Sequence, residues 1–345
     1  MSTRIARLRE HLEEPLLVTS PTNIRYLVGF DSSNAVLLVE PERVRLFTDF
    51  RYIEAARAVA GVDVVQTRRS VLGELAETLS GRIAFEAAAL SYAQFELLGK
   101  DGLDLVPREG VVERLRAVKD AGELDAIRRA CAITDRVYER LAEVPFVGRS
   151  ERAVSWDLTR LFHEEGGEGL AFESIVGAGP TGARPHARAG DRAIGAGELV
   201  VIDAGCTIDG YASDYTRTFA TGPLDGEAAE AYAVVRAAQD AALGAIRGGL
   251  PALEADAVAR RVVDVSPFAG TFGHGLGHGL GLDVHELPRM STETSDVLEP
   301  GNVVTVEPGV YLEGRFGIRI EDDVVVTAAG IENLTCLTKD LVEVG

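Results

Sequence analysis

Val201-Ile-Asp203-Ala-Gly-Cys-Thr-Ile-Asp209-Gly210-Tyr-Ala-Ser-Asp214-Tyr-Thr-Arg-Thr218 reads as a β-hairpin. An apolar run ends in Asp203, an Asp-Gly pair follows, and residues that favour strands resume. Asp-Gly between two such runs is a strong hairpin signal. A two-residue turn at Asp209-Gly210 pairs Ile208 with Tyr211. Counting back sets Asp203 opposite Thr216, one diagonal step from Asp214, so both carboxylates leave the same face of the sheet.

A second pair of acids has a similar setting. Glu307 ends the apolar run Val303-Val-Thr-Val, Glu321 follows Gly317-Ile-Arg319-Ile, and a loop at Glu313-Gly314-Arg315 lies between them. A single Asp at a strand end is more often a turn or cap residue than a ligand. Two same-face pairs change that balance, because buried charges are normally paired or coordinate metals. Four converging carboxylates would repel one another by several kcal/mol, and two divalent cations would cancel their charge.

The chain has six histidines. His11 and His163 fall in expected surface helices. His186 follows Ala183-Arg-Pro185, and three more stand in Gly273-His274-Gly-Leu-Gly-His278-Gly-Leu-Gly-Leu-Asp-Val-His285-Glu-Leu-Pro-Arg289. This segment is not a nucleotide loop, since no Lys-Ser/Thr follows its glycines. It is not the helical two-histidine zinc motif either, since Pro288 breaks any helix there and no second His sits at the right spacing. Glycines allow close backbone approach around a crowded site, and three histidines in twelve residues of such chain point to a metal or catalytic role.

Composition agrees with an enzyme of this kind. At 345 residues the chain is long enough for two domains. Its net charge of −19 argues against nucleic acid or an anionic membrane as partner. No apolar run approaches the ~20 residues that span a bilayer, and the charged stretch Met1–Glu14 lacks the apolar core of a signal peptide. A cytoplasmic location is expected. The cysteines, Cys131, Cys206 and Cys336, are too scattered for a disulfide framework or a zinc ribbon.

Residues 1–118 read as a small α/β domain, with strands at 16–19, 35–40, 44–48 and 62–66 and helices at 4–13, 52–60 and 71–79. A helical stretch over 111–142 breaks near Lys119–Ala121, where Asp120 and Glu123 form a helix-start pair. Residues 119–345 read as an α+β domain, with helices at 151–165, 226–247 and 252–263. Its strands fall at 173–177, 199–206, 212–220, 303–306 and 318–327.

The motif Gly-Leu-Gly-His278-Gly-Leu-Gly-Leu-Asp-Val-His285-Glu, with Asp203, Asp214, Glu307 and Glu321 in that order, resembles the pita-bread metallopeptidases. That group includes aminopeptidase P, Xaa-Pro dipeptidase (prolidase) and methionine aminopeptidase. The resemblance covers nearly the whole chain, because the N-terminal part is similar to the creatinase-type domain that methionine aminopeptidases usually lack. It implies a pita-bread catalytic domain over 119–345 behind a creatinase-like domain over 1–118. It also implies an Xaa-Pro peptidase, with Asp203, Asp214, His278, Glu307 and Glu321 as metal ligands. His186, His285 and Arg319 match positions used around the substrate and the ligands, and His274 a further pocket position. Arg289 is similar to an arginine that short prolidases use near a dipeptide carboxylate; otherwise it is a surface residue on a turn. Relatives without metal, such as creatinase, and non-catalytic relatives lose ligand residues that this chain keeps.

The implied chemistry is hydrolysis by a hydroxide held between two ions. Mn(II) is expected ahead of Co(II), Zn(II) or Fe(II) for an oxygen-rich set with one imidazole. Glu307 is expected to move the proton of the attacking water. His285 and His186 are expected to hydrogen-bond the carbonyl oxygen, and Arg319 to orient Asp203 or Glu321. The expected substrates are peptides with proline in second position, and the resemblance implies a homodimer.

Overall fold

Ala-Val-Leu-Leu-Val at 35–39 and its neighbours form the central strands of a six-stranded sheet in the first of two units, which divide between Arg116 and Ala117. The structure, a computed structural model, describes residues 3–99 and 102–345. The sheet comprises β1 (Leu16–Val18), β2 (Ala35–Val39), β3 (Val44–Thr48), β4 (Asp63–Gln66), β5 (Gly81–Glu86) and β6 (Leu103–Arg108) in the order β4-β3-β2-β1-β5-β6. Pairing is antiparallel within β1–β2–β3 and parallel elsewhere. Helices α1 (Thr3–Arg9), α2 (Pro21–Val28), α3 (Ile53–Ala56), α4 (Val71–Thr78) and α5 (Tyr92–Leu98) accompany it, and α6 (Val111–Ala117) follows.

Some expected bounds shift. The helix expected over 4–13 stops at Arg9, and His11 falls in the turn beyond it. Acids at 10, 13 and 14 oppose the negative helix C-terminus, and Pro15 restricts the residue before it. The helix expected over 52–60 is a single turn. Helix α2 was not anticipated, yet its signal is present. Ser20 caps it, Pro21 occupies its first turn, and Gly29 closes it at φ 68°.

In the second unit, α7 (Ala121–Leu141) starts at the expected box: Asp120 accepts from the Glu123 amide, and Glu123 accepts from the Asp120 amide. Helix α8 (Glu151–Glu164) packs with it, and α9 (Gly226–Ala245) packs with α10 (Ala252–Asp264). The strands are β7 (Gly169–Leu170), β8 (Ile175–Ala178), β9 (Leu199–Ala204), β10 (Cys206–Ile208), β11 (Tyr211–Ala212) and β12 (Tyr215–Ala220). After the helices come β13 (Gly277–Gly279), β14 (Glu286–Met290), β15 (Val303–Val306), β16 (Gly309–Leu312), β17 (Phe316–Arg319), β18 (Asp322–Val326) and β19 (Ile331–Asn333).

Two long antiparallel ribbons carry the acids. In the first, Ile208 pairs with Tyr211 and Asp203 with Thr216, the register counted from the Asp-Gly turn. Asp209 and Gly210 both take positive φ, 50° and 74°, as a tight hairpin turn requires. In the second, the pairs Val306–Asp322 and Gly309–Arg319 bracket Glu307 and Glu321 and set them opposite each other. Each ribbon passes from one sheet to another beside its acids: β9–β12 to β10–β11 in the first, β15–β18 to β16–β17 in the second.

Alternation decides which way the acids face. Val200, Ile202 and Ala204 lie in the core with α7 and α8, so Asp203 leaves the other face of β9. Val304, Val306, Val324 and Val326 lie in the core with α9 and α10, so Glu307 and Asp323 project away from that helical layer.

Candidate metal centre

His278 is where the two ribbons meet the glycine-rich segment. It sits on β13, which pairs with β14 on one side and β15 on the other. Its backbone amide donates to Thr305 Oγ1 at 3.1 Å. Nδ1 lies 3.1 Å from the Gly279 carbonyl, which only accepts, so Nδ1 carries the ring proton. Nε2 is then left with its lone pair, 3.4 Å from Glu307 Oε1 and 3.7 Å from Asp214 Oδ2. Burial, then the neighbouring His285, lower the His278 pKa to about 4, so the ring is neutral at pH 7.

Ligand atoms of Asp214, His278 and Glu321 lie within 4.8 Å of one another. Asp203 and Glu307 are close enough to raise the pKa of both Asp214 and Glu321 by their charge, after the larger effect of burial. Burial likewise pushes Glu307 up to about 7, against the pull of Arg319. Four carboxylates therefore gather around one imidazole and one guanidinium.

The residues fit divalent ions. Asp203 Oδ1 and Asp214 Oδ1 are buried with no hydrogen-bond partner among the described residues, an expensive state for an acceptor unless a cation faces it. Carboxylate oxygens with one neutral imidazole are a hard donor set suited to such ions.

Surrounding groups hold the carboxylates in place. Arg319 Nη2 donates to Asp203 Oδ2 at 2.6 Å, its Nε to Thr216 Oγ1 at 2.8 Å and its Nη1 to Tyr311 Oη at 3.0 Å. Thr216 Oγ1 donates to Glu321 Oε2 at 2.6 Å, and Thr305 donates to Glu307 Oε1 at 3.2 Å. The Asp214 amide donates to Asp323 Oδ2 at 3.0 Å.

The remaining candidates lie around this cluster. The His285 ring is exposed, with its centroid 4.3 Å from that of His278. His186 is exposed on the loop whose Pro185 carbonyl accepts from Arg319 at 3.3 Å. His274 Nε2 is 2.9 Å from Tyr311 Oη, and burial lowers its pKa to about 4. Arg289 is exposed on β14, opposite His278 in the ladder.

Sequence reasoning missed Tyr311, Thr216, Thr305 and Asp323 as parts of this centre. A period-two count would have found Tyr311, because Glu307, Gly309 and Tyr311 share one face of the ribbon. Asp323 offered no such signal. It is the last of three consecutive acids, and its contact with Asp214 joins residues 109 apart in sequence.

Comparison with known proteins agrees with this architecture. The model of metallopeptidase family M24 matches residues 125–328, and that of the creatinase/prolidase N-terminal domain matches residues 4–118. An uncharacterized peptidase of Bacillus subtilis is 36% identical over 335 residues, 95% of either chain. The Xaa-Pro dipeptidase of Pyrococcus furiosus is 31% identical over 350 residues, 99% of this chain and 100% of its own. A solved Xaa-Pro dipeptidase from Bacillus anthracis superposes with a TM-score of 0.93 at 34% identity, covering 98% of each chain. With acids on two β-ribbons around a histidine of a glycine-rich strand, the chain belongs to metallopeptidase family M24, its pita-bread fold following a creatinase-like N-terminal domain in sequence.

Proposed function

We propose that this protein is a metal-dependent Xaa-Pro peptidase that hydrolyses the bond between an N-terminal residue and a following proline, with free dipeptides as its preferred substrates. The observation that carries the reading is the pair of unpartnered buried oxygens, on Asp203 and Asp214, beside the lone pair of His278 Nε2. Relatives over nearly the full length that bear the name Xaa-Pro dipeptidase support the substrate class.

In this reading residues 119–345 carry the chemistry, and residues 1–118 form the accessory creatinase-like domain. Asp203, Asp214, His278, Glu307 and Glu321 would hold two divalent ions, manganese suiting the oxygen-rich set best. Such ions, when bound, polarise the scissile carbonyl and make a water acidic enough to attack at neutral pH. Glu307 takes the proton of the attacking water and returns it to the proline nitrogen as the C–N bond breaks. His285 and His186 donate to the carbonyl oxygen as it gains charge. His274 and Tyr311 border the pocket, and Arg319 keeps Asp203 aimed. Arg289 receives the proline carboxylate, which favours a dipeptide over a longer peptide. The finer expectations belong to the same reading: a homodimer working in the cytoplasm, on peptides and not on nucleic acid or membrane. No helix among the described residues is long and apolar enough to cross a membrane.

Incubation of the Mn(II)-loaded protein with Ala-Pro and with Ala-Pro-Ala tests it. Release of alanine from the dipeptide, little from the tripeptide and none from chelated protein is expected. Full activity in metal-free protein overturns the reading, and equal cleavage of both peptides turns it toward an aminopeptidase.

A further inference from the structure

Lys119 is one of three lysines among 35 basic residues, and its side chain is 1% exposed. Its Nζ donates to Glu286 Oε2 at 3.2 Å, and the Glu286 side chain is 4% exposed. A buried pair of this kind is weak as a source of stability. What it connects is informative. The Lys119 backbone is fixed to the turn that leads into β15: its amide donates to the Gly301 carbonyl at 2.9 Å, and Val118 bridges to Asn302. Glu307 follows that strand directly.

Glu286 follows His285 directly. Its Oε1 accepts from the Asp283 amide at 2.9 Å, which closes the loop Gly281–His285 on itself. At Gly281 a Cβ would lie 2.8 Å from the Glu286 carboxylate, so the loop packs around that carboxylate without room for a side chain. Leu282 and Val284 rest on the core formed with α7 and α8. Among the described residues the His285 ring itself makes no hydrogen bond. Its place beside His278 is therefore set by the loop and by ring contact with His278, not by a hydrogen bond of its own.

We propose that Lys119 and Glu286 are positioning residues for His285: the buried pair ties the loop carrying His285 to the strand carrying Glu307, and so fixes the imidazole relative to the attacking water. The proposal rests on the peptidase reading, in which His285 stabilises the carbonyl oxygen. A displacement of about 1 Å at such a group can cost ~10²-fold in rate.

The test measures kcat and KM for Ala-Pro with Mn(II)-loaded protein, with bound metal and Tm recorded alongside. Lys119→Met is expected to lower kcat about 10²-fold, with KM and metal content unchanged. In the His285→Ala background the same change is expected to alter kcat less than about twofold, because the group it positions is gone. The variant Lys119→Met/Glu286→Leu removes both charges of the pair together, a milder change than leaving one of them buried alone; with a wild-type Tm it is expected to keep the low kcat. Wild-type kcat in Lys119→Met while His285→Ala is slow overturns the proposal, as do losses that multiply in the double variant. Wild-type kcat in His285→Ala overturns it too, and in that case the fault lies in the role given to His285 by the peptidase reading.

Discussion

Arg289 stands directly across the β13–β14 ladder from His278. Residues opposed in an antiparallel pair send their side chains to the same face, so the imidazole beside the acid cluster and an exposed guanidinium share a side of the sheet. Arg289 has no ion-pair partner among the described residues, and its amide is fixed by Asp296 at 2.8 Å. Arg289→Ala is expected to raise KM for Ala-Pro about 10- to 100-fold, the worth of a charged hydrogen bond, with kcat little changed. Initial-rate kinetics decide; an unchanged KM removes Arg289 from the substrate site.

Asp214 is expected to be indispensable for metal. Asp214→Asn removes a carboxylate whose Oδ1 has no hydrogen-bond partner among the described residues. Activity should vanish and bound metal fall to one ion or none by elemental analysis. Added Mn(II) should raise Tm in the wild type, as binding to the folded state requires, and raise it less in the variant.

His285→Ala should separate chemistry from binding. The ring is not among the proposed ligands, so metal content is expected to stay at the wild-type level. Its loss should lower kcat about 10²–10³-fold, as removal of a donor to a developing oxyanion does. Metal loss in parallel with kcat would make His285 a ligand instead.

Arg319 spreads its donors over Asp203, Thr216, Tyr311 and the Pro185 carbonyl. A lysine offers one compact charge and cannot bridge all four. Arg319→Lys is expected to weaken metal affinity or activity about 10- to 100-fold, as loss of groups behind metal ligands does. Metal titration followed by calorimetry measures it.

Asp135 gives a pH dependence away from the metal. Burial is the main cause that raises its pKa from 3.8 to about 6, although the Cys336 amide and Arg217 pull it down. Between about pH 4 and 6 the folded chain therefore binds more protons here than the unfolded chain, and this group's contribution to stability falls as pH rises. Asp135→Asn removes that component. The Tm of the variant relative to wild type is expected to increase from pH 4 to pH 6.5, and a difference that stays flat contradicts the assignment.

Local signals made the first ribbon legible in the sequence. The Asp209-Gly210 turn fixes the register, and the register fixes which residues face Asp203. The His-rich segment was legible as chemistry but not as structure: its glycines hide β13, a strand of three residues, and Pro288 hides β14. Strands β5 and β6 went unnoticed because Gly81-Arg82 and Asp104 interrupt their apolar pattern. The contacts that complete the centre, Asp323 to Asp214 and Thr216 to Glu321, cross between ribbons more than 100 residues apart. No local pattern encodes such pairs, because they arise only when the two ribbons, each backed by its own helical layer, meet in the folded domain.

The unbroken register of the two ribbons also sets what the gene can vary. Residues inserted at the tips, beyond Ile208–Tyr211 or Leu312–Phe316, only lengthen a turn and leave every pairing below them intact. One residue lost between Gly210 and Asp214 would instead turn Asp214 to the opposite face of its strand. Length variation among homologous chains is therefore expected at the hairpin tips, while the shafts keep a fixed count.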